Sequence, residues 1–191
     1  MIVTRFFKPL GSLTDDELMQ RGCRKDDDRA FGELYHRHAR RLMGFFFRQL
    51  DRDKALASDF TQDAFMRVWT ARDKFTGTTF RTWLFTIAFN LIKNHIRHSV
   101  HQKQYEQFVA KHQAVTEDSK VVESMDNEAF DRALRQELER MSPDSRLLFS
   151  LRFEEELSVP QIAEVMAIPE GTVKSRLHTL TQTLKKKLNP A

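Results

Sequence analysis

The sequence predicts an all-α protein: two small helical domains joined by an acidic, flexible linker, the second domain built on a helix-turn-helix. Three observations carry this. Glycine (6) and proline (5) are scarce in 191 residues, which argues against the many tight turns of an all-β chain. Apolar residues recur at the three- and four-residue spacing of a helix face in nearly every long segment. Charge also alternates in blocks. Arg72 to Lys103 carries six Lys/Arg against one acid, Gln104 to Glu139 nine acids against four bases, and Glu170 to Leu188 five bases against one acid. The expected boundaries are a first domain over 12–101, a linker over 102–126 with room for one short helix, and a second domain over 127–189.

In chain order, Thr14 and Glu17 form a capping box that opens the first helix, with Asp15 and Asp16 suited to its positive end. A polar stretch, Arg24 to Asp28, precedes a stronger helix with Phe31, Leu34, Tyr35, His38, Leu42, Phe45 and Phe46 at helical spacing. His36 and His38 have no further ligands at a fitting interval, so they read as ordinary helix positions rather than a metal site. The next helix, about 53–72, turns Ala64, Phe65, Val68 and Trp69 to a core. Its other face, Asp59, Gln62, Asp63 and Arg67, is read from these residues alone as a solvated face complementing the helix dipole, with protein docking as the alternative.

Phe75-Thr76-Gly77-Thr78 then reads as a loop and Thr79 as the cap of a long helix. Phe80, Trp83, Leu84, Ile87, Ala88, Leu91 and Ile96 are expected to form its buried stripe. The opposite side carries Phe85, Phe89, Asn90, Lys93, Asn94 and Arg97. Aromatics, amides and bases on one exposed face are what a single nucleic-acid strand requires: stacking surfaces, edge-reading amides and charge for phosphates. His95, His98 and His101 fit a basic helix end better than a metal site.

Beyond the linker, Phe130, Ala133, Leu134, Leu138 and Met141 restore a helical pattern, and Ser142-Pro143 caps a helix ending near Phe153. The stretch from Ser158 to Leu188 reads as a short helix, a break at Ala167-Ile168-Pro169, and a second helix with Val173, Leu177, Leu180, Leu184 and Leu188 on one side. Gly171, Thr172, Lys174, Ser175, His178, Thr179 and Gln182 lie off that stripe, and the excess of base over acid favours a major-groove surface over a merely solvated one. Arg176, nearer the stripe, is assigned to a phosphate or an internal ion pair.

A single cysteine, Cys23, excludes an internal disulfide and a cysteine zinc site. No apolar run is long enough for a signal peptide or membrane span, so a cytoplasmic protein without membrane insertion is expected. No nucleophile–base set, glycine-rich phosphate loop or metal spacing is present, so neither an enzyme nor a cofactor or metal is expected.

Four segments together resemble the bacterial RNA polymerase sigma factors of the extracytoplasmic-function (ECF) group. They are LTDDEL…DDRAFGELYHRHARRL, DFTQDAFMRVW, FRTWLFTIAFNLIKNHIR, and SPDSRLLFSLRFEEELSVPQIAEVMAIPEGTVKSRL. The resemblance implies a non-enzymatic factor that binds core RNA polymerase, recognises promoter DNA and promotes strand opening. Asp59, Gln62, Asp63 and Arg67 would then meet the polymerase, which overturns the solvated-face reading. Asn90 and the loop from Phe75 to Thr79 would line a pocket for a flipped minus-ten base, with Phe85, Phe89, Lys93, Asn94 and Arg97 beside it. Gly171, Thr172, Lys174, Ser175, Arg176, His178 and Thr179 would meet the minus-thirty-five duplex. An anti-sigma factor is a plausible further partner, and the acidic linker would pass through the polymerase's basic interior.

The family often has glycine where Ala167 and Glu156 stand. Alanine in a left-handed turn costs roughly 1–2 kcal/mol, so a looser turn is expected at Ala167. The rival from another class is a stand-alone helix-turn-helix repressor or activator, which leaves the aromatic-basic face from Phe85 to Arg97 without a task. A protein-only adaptor is the remaining alternative.

Overall fold

The structure, a computed structural model, describes residues 8–25, 27–110 and 128–188. Among them every regular element is helical. The helices are α1 (Asp15–Lys25), α2 (Asp28–Gln49), α3 (Lys54–Thr70), α4 (Phe80–Ala110), α5 (Glu128–Glu139), α6 (Pro143–Phe149), α7 (Val159–Met166) and α8 (Glu170–Leu188). The chain divides into two compact units, with one break inside α4 after Leu91 and Glu164–Ala167 grouped with the first unit.

In the first unit the helix starts follow the sequence chemistry. Thr14 N–H donates to Glu17 Oε2 (2.8 Å) and Glu17 N–H to Thr14 Oγ1 (3.2 Å), the reciprocal capping box. Asp27 caps α2 and Asp53 caps α3. The Arg21 guanidinium bonded to Asp27 at 2.6 Å holds that carboxyl below its usual range, helped by the amides of Ala30 and Arg29.

Phenylalanine and leucine share the core of this unit, which buries Phe45, Phe46, Phe65, Phe80, Phe85 and Phe89. Phe45 meets Phe46 at 5.6 Å and Phe85 at 5.4 Å between ring centroids, and Phe46 meets Phe60 at 5.5 Å. Phe45, Phe46 and Phe85 are buried and Phe60 is half-buried, and edge-to-face contacts of this kind stabilise beyond the area they bury. Arg37 is half-buried and clasps the entering chain. Its guanidinium donates to the carbonyls of Leu10, Gly11 and Leu13 and to the carboxylates of Asp15 and Glu33.

Helix α4 departs from expectation twice. It continues through Ala110, so the first nine positions of the predicted linker are helical; residues 111–126 of that linker lie outside the described residues. Its buried arc is also wider than one stripe. Phe85 and Phe89, expected on the exposed side, are 1% and 4% exposed. At 100° per residue the buried set from Phe80 to Phe89 covers about half the circumference. The reason is that α2 packs Phe45 against Phe85 while His38, also on α2, lies against Phe80 at 5.3 Å. A helix covered over several turns needs more apolar surface than a surface helix does.

The second unit gathers Leu147, Leu148, Leu151, Leu157, Ile162, Val173, Leu180 and Leu184 inside. Ser142 caps α6, with Pro143 at its first position. The segment expected to finish that helix widens into a π-helical turn over Ser150–Glu154, where the Ser150 hydroxyl donates to Glu154. Ser158 and Gln161 form a second reciprocal capping box at α7. The turns flanking α7 are left-handed at both positions where glycine was the expectation: Glu156 has φ +55° and Ala167 φ +52°. The turn at Ala167 is therefore not looser. It keeps the left-handed geometry and bears the strain of a β-carbon there.

Candidate nucleic-acid interface

Three surfaces carry the predicted residues. The first runs along α4. Asn90, Lys93, Asn94 and Arg97 are exposed, and Trp83, Ile87, Asn90, Asn94 and Arg97 recur every three or four residues, hence on one side. Arg97 donates to Asn94 Oδ1 at 2.9 Å, which fixes the amide's orientation. Phe85 and Phe89 do not belong to this strip. The half-exposed aromatics beside it are Trp83 and Phe75, with ring centroids 5.3 Å apart. Sequence reasoning had put Trp83 in the core; its place on the Asn90 row was the signal that could have assigned it to the strip.

The loop Phe75–Thr79 lies at the start of α4, where Phe75 reaches Trp83. Gly77, with φ +73°, is the position that requires glycine. Thr79 caps the helix locally: its Oγ1 accepts from Thr82 N–H at 3.3 Å. Thr76 and Gly77 are exposed and Thr78 is half-buried. Asn90 lies two turns beyond Trp83, roughly 10 Å along the axis.

The second surface is α8. Gly171, Lys174, Ser175, Arg176, His178 and Thr179 are exposed and Thr172 is half-buried, while Val173, Leu180 and Leu184 are buried on the other side. The Ser175 hydroxyl donates to Thr172 O (3.0 Å) and that of Thr179 to Ser175 O (3.1 Å), leaving their oxygens outward as acceptors. Lys174 is 3.9 Å from Glu170, and Arg176 is 3.9 Å from Asp144. Of the two roles expected for Arg176, the internal ion pair is therefore formed. It closes one side of a cleft of about 440 Å³ shared by Ser142, Ser145, Thr179 and Thr183.

The third surface is on α3, where Asp59, Gln62, Asp63 and Arg67 are all exposed. Arg67 Nε donates to Asp63 Oδ1 at 3.0 Å, so Asp59 is the carboxylate whose charge is less matched on this face. Met66 sits among them at 63% exposure, a large apolar side chain that sequence periodicity had not singled out.

Among the described residues no group of three or more His, Cys, Asp or Glu could hold a metal ion, and no helix is long and apolar enough to cross a membrane. His38 Nε2 instead meets Asp15 Oδ2 at 2.7 Å, and the side chain of His101 lies outside the described residues.

Fold and surfaces define a class: an all-helical, two-unit nucleic-acid-binding protein with a helix-turn-helix at its C-terminal end. Comparison with known proteins narrows it. The family models for sigma-70 region 2 and sigma-70 region 4 match residues 34–101 and 131–179. The RNA polymerase sigma-H factor of Pseudomonas aeruginosa is 30% identical over 185 residues, 92% of this chain and 94% of that protein. The ECF RNA polymerase sigma-E factor of Escherichia coli K12 is 29% identical, over 93% of this chain and 96% of that one. The sigma factor RpoE of Bartonella quintana, solved in complex with the anti-sigma factor NepR, shares the fold at a TM-score of 0.64 and 24% identity. That match covers 84% of this chain and 97% of the other. The chain belongs to the ECF sigma factors of the sigma-70 family. As such it is a transcription initiation factor that binds core RNA polymerase and recognises promoter DNA.

Proposed function

We propose that this sigma factor, acting in the cytoplasm without catalysing a reaction itself, opens promoter DNA by holding the minus-ten strand along α4. The observation that carries this is the strip itself: Asn90, Lys93, Asn94 and Arg97 exposed in register with half-exposed Trp83, over a core that fixes the helix. An unstacked base offers its Watson–Crick edge to an amide and its face to an aromatic ring, while cations hold the phosphates. The loop Phe75–Thr79 and Asn90 contact successive nucleotides of that strand. On α8, Lys174, Ser175, His178 and Thr179 read the minus-thirty-five duplex, with Gly171, Thr172 and Arg176 at the backbone. Asp59, Gln62, Asp63 and Arg67, extended by Met66, dock on core polymerase. The solved relative held by NepR supports an anti-sigma factor as the regulator of this chain.

Asn90→Ala in reconstituted holoenzyme tests the central claim. Permanganate reactivity of minus-ten thymines should fall more than filter-bound duplex does, and a template already unpaired there should recover part of the loss. Equal melting by variant and wild type removes Asn90 from the strand contact.

A further inference from the structure

The loop Phe75–Thr79 is held at both ends by one face of α1. At its exit, Asp16 Oδ1 accepts a hydrogen bond from the backbone N–H of Phe80 at 2.6 Å. That amide is one of the four at the start of α4 with no partner inside the helix, and a carboxylate there also meets the positive end of the dipole. At its entry, Cys23 Sγ donates to the carbonyl of Arg72 at 3.1 Å. Burial pushes the Cys23 thiol up, with Asp73 adding to it, so the thiol stays protonated and keeps its donor. Asp16 and Cys23 are seven residues apart, two helical turns, and therefore lie on the same side of α1. Helix α1 is itself fastened to α2, since Arg37 grips Leu13 O and Asp15 while His38 takes the other Asp15 oxygen.

We infer that α1 is a brace for the strand-contacting loop, and that Asp16 is a positioning residue for minus-ten recognition although it touches no DNA. Thr79 and Thr82 cap α4 without help, so the helix does not need Asp16 in order to form. What Asp16 adds is a fixed position for the loop's last peptide relative to α1. With the exit released, Phe75 to Thr79 would sample several arrangements, and base discrimination would fall before helicity does. This inference rests on the reading of the loop as a strand contact.

The test uses the full chain with core polymerase. In Asp16→Ala, hydrogen exchange at the Phe80 amide should accelerate about ten- to a hundredfold, the scale of a lost charge-assisted hydrogen bond. Discrimination between matched and substituted minus-ten bases on pre-unpaired templates should drop roughly tenfold, the scale of a lost base contact. Core binding should stay at wild type. Asp16→Asn, which retains an acceptor of the same shape, should recover most of both effects. If Asp16→Ala does not fold, the intermediate exchange rate and intermediate discrimination of Asp16→Asn carry the test. Wild-type discrimination in the Asp16 variants, alongside a loss in Thr76→Ala and Thr78→Ala, overturns the brace. If the loop variants also discriminate normally, the reading of the loop as a strand contact fails, and the brace with it.

Discussion

The two helices proposed to face DNA are built in opposite ways. Helix α8 buries Val173, Leu180 and Leu184 along a narrow stripe and leaves most of its remaining surface outside. Between Phe80 and Ile92, helix α4 gives about half its circumference to the core, and the Trp83–Arg97 row lies outside it. A recognition helix read in the major groove needs a broad polar face and little else. A helix that holds an unpaired strand must not yield when bases are pulled from their stack, and a wide buried arc supplies that stiffness. Side-chain truncations at Lys174, Ser175 and their exposed neighbours on α8 should therefore change recognition with little change in stability, whereas on α4 a step of one residue separates the two consequences.

That contrast breaks most sharply at Phe89 and its neighbour Asn90. Phe85→Ala and Phe89→Ala should each destabilise the first unit by about 3–5 kcal/mol in denaturant titrations, the usual cost of emptying a buried phenylalanine site. Trp83→Ala, at a half-exposed ring, should cost less stability. It should weaken single-strand binding instead, by about 1–3 kcal/mol if a base stacks there. A Phe89→Ala protein as stable as wild type but unable to open promoters would return Phe89 to the DNA face.

The same contrast explains what could be read in advance. Period and caps were enough for α8, for the Thr14–Glu17 box, and for the exposed acids of α3, because each is set by residues within one or two turns. Phe85 and Phe89 were misassigned because periodicity reveals one apolar face, while contacts from several turns of α2 decide how wide it becomes. The bond from Phe80 to Asp16 joins residues 64 apart, and no local pattern encodes it. The left-handed turns at Glu156 and Ala167 were signalled by the family's glycines and not by the residues themselves, since neither type favours that conformation.

On α8 the expected effect is smaller and cleaner. Lys174→Ala and Ser175→Ala should leave the midpoint of unfolding nearly unchanged, since both side chains are exposed. Discrimination for the upstream element should fall by about 1–3 kcal/mol per lost base contact. Scrambling that element should abolish the difference between variant and wild type. An equal loss on scrambled DNA would assign both residues to the phosphates.

The turns on either side of α7 sharpen the comparison from the side of the scaffold. Glu156→Gly and Ala167→Gly each remove a β-carbon from a left-handed residue and should stabilise the packing around α7 by about 1 kcal/mol. Thermal unfolding would register the gain. No gain at Ala167 would mean that the added freedom of glycine in the unfolded chain offsets the strain removed.

The finest test is Gly171, the second residue of α8. A β-carbon built there would meet nothing within 4 Å, so packing within the chain gives no reason for glycine. Alanine would improve helix propensity by up to about 1 kcal/mol, less in a first turn than in the interior. What the missing side chain does leave open is the approach of a phosphate to the amides at the helix start. Gly171→Ala should accordingly unfold at a slightly higher temperature while binding the minus-thirty-five duplex more weakly, with a loss that is the same for matched and scrambled sequence. A variant that is both more stable and equally tight would move the DNA backbone away from this end of α8, toward the span between Lys174 and Thr179.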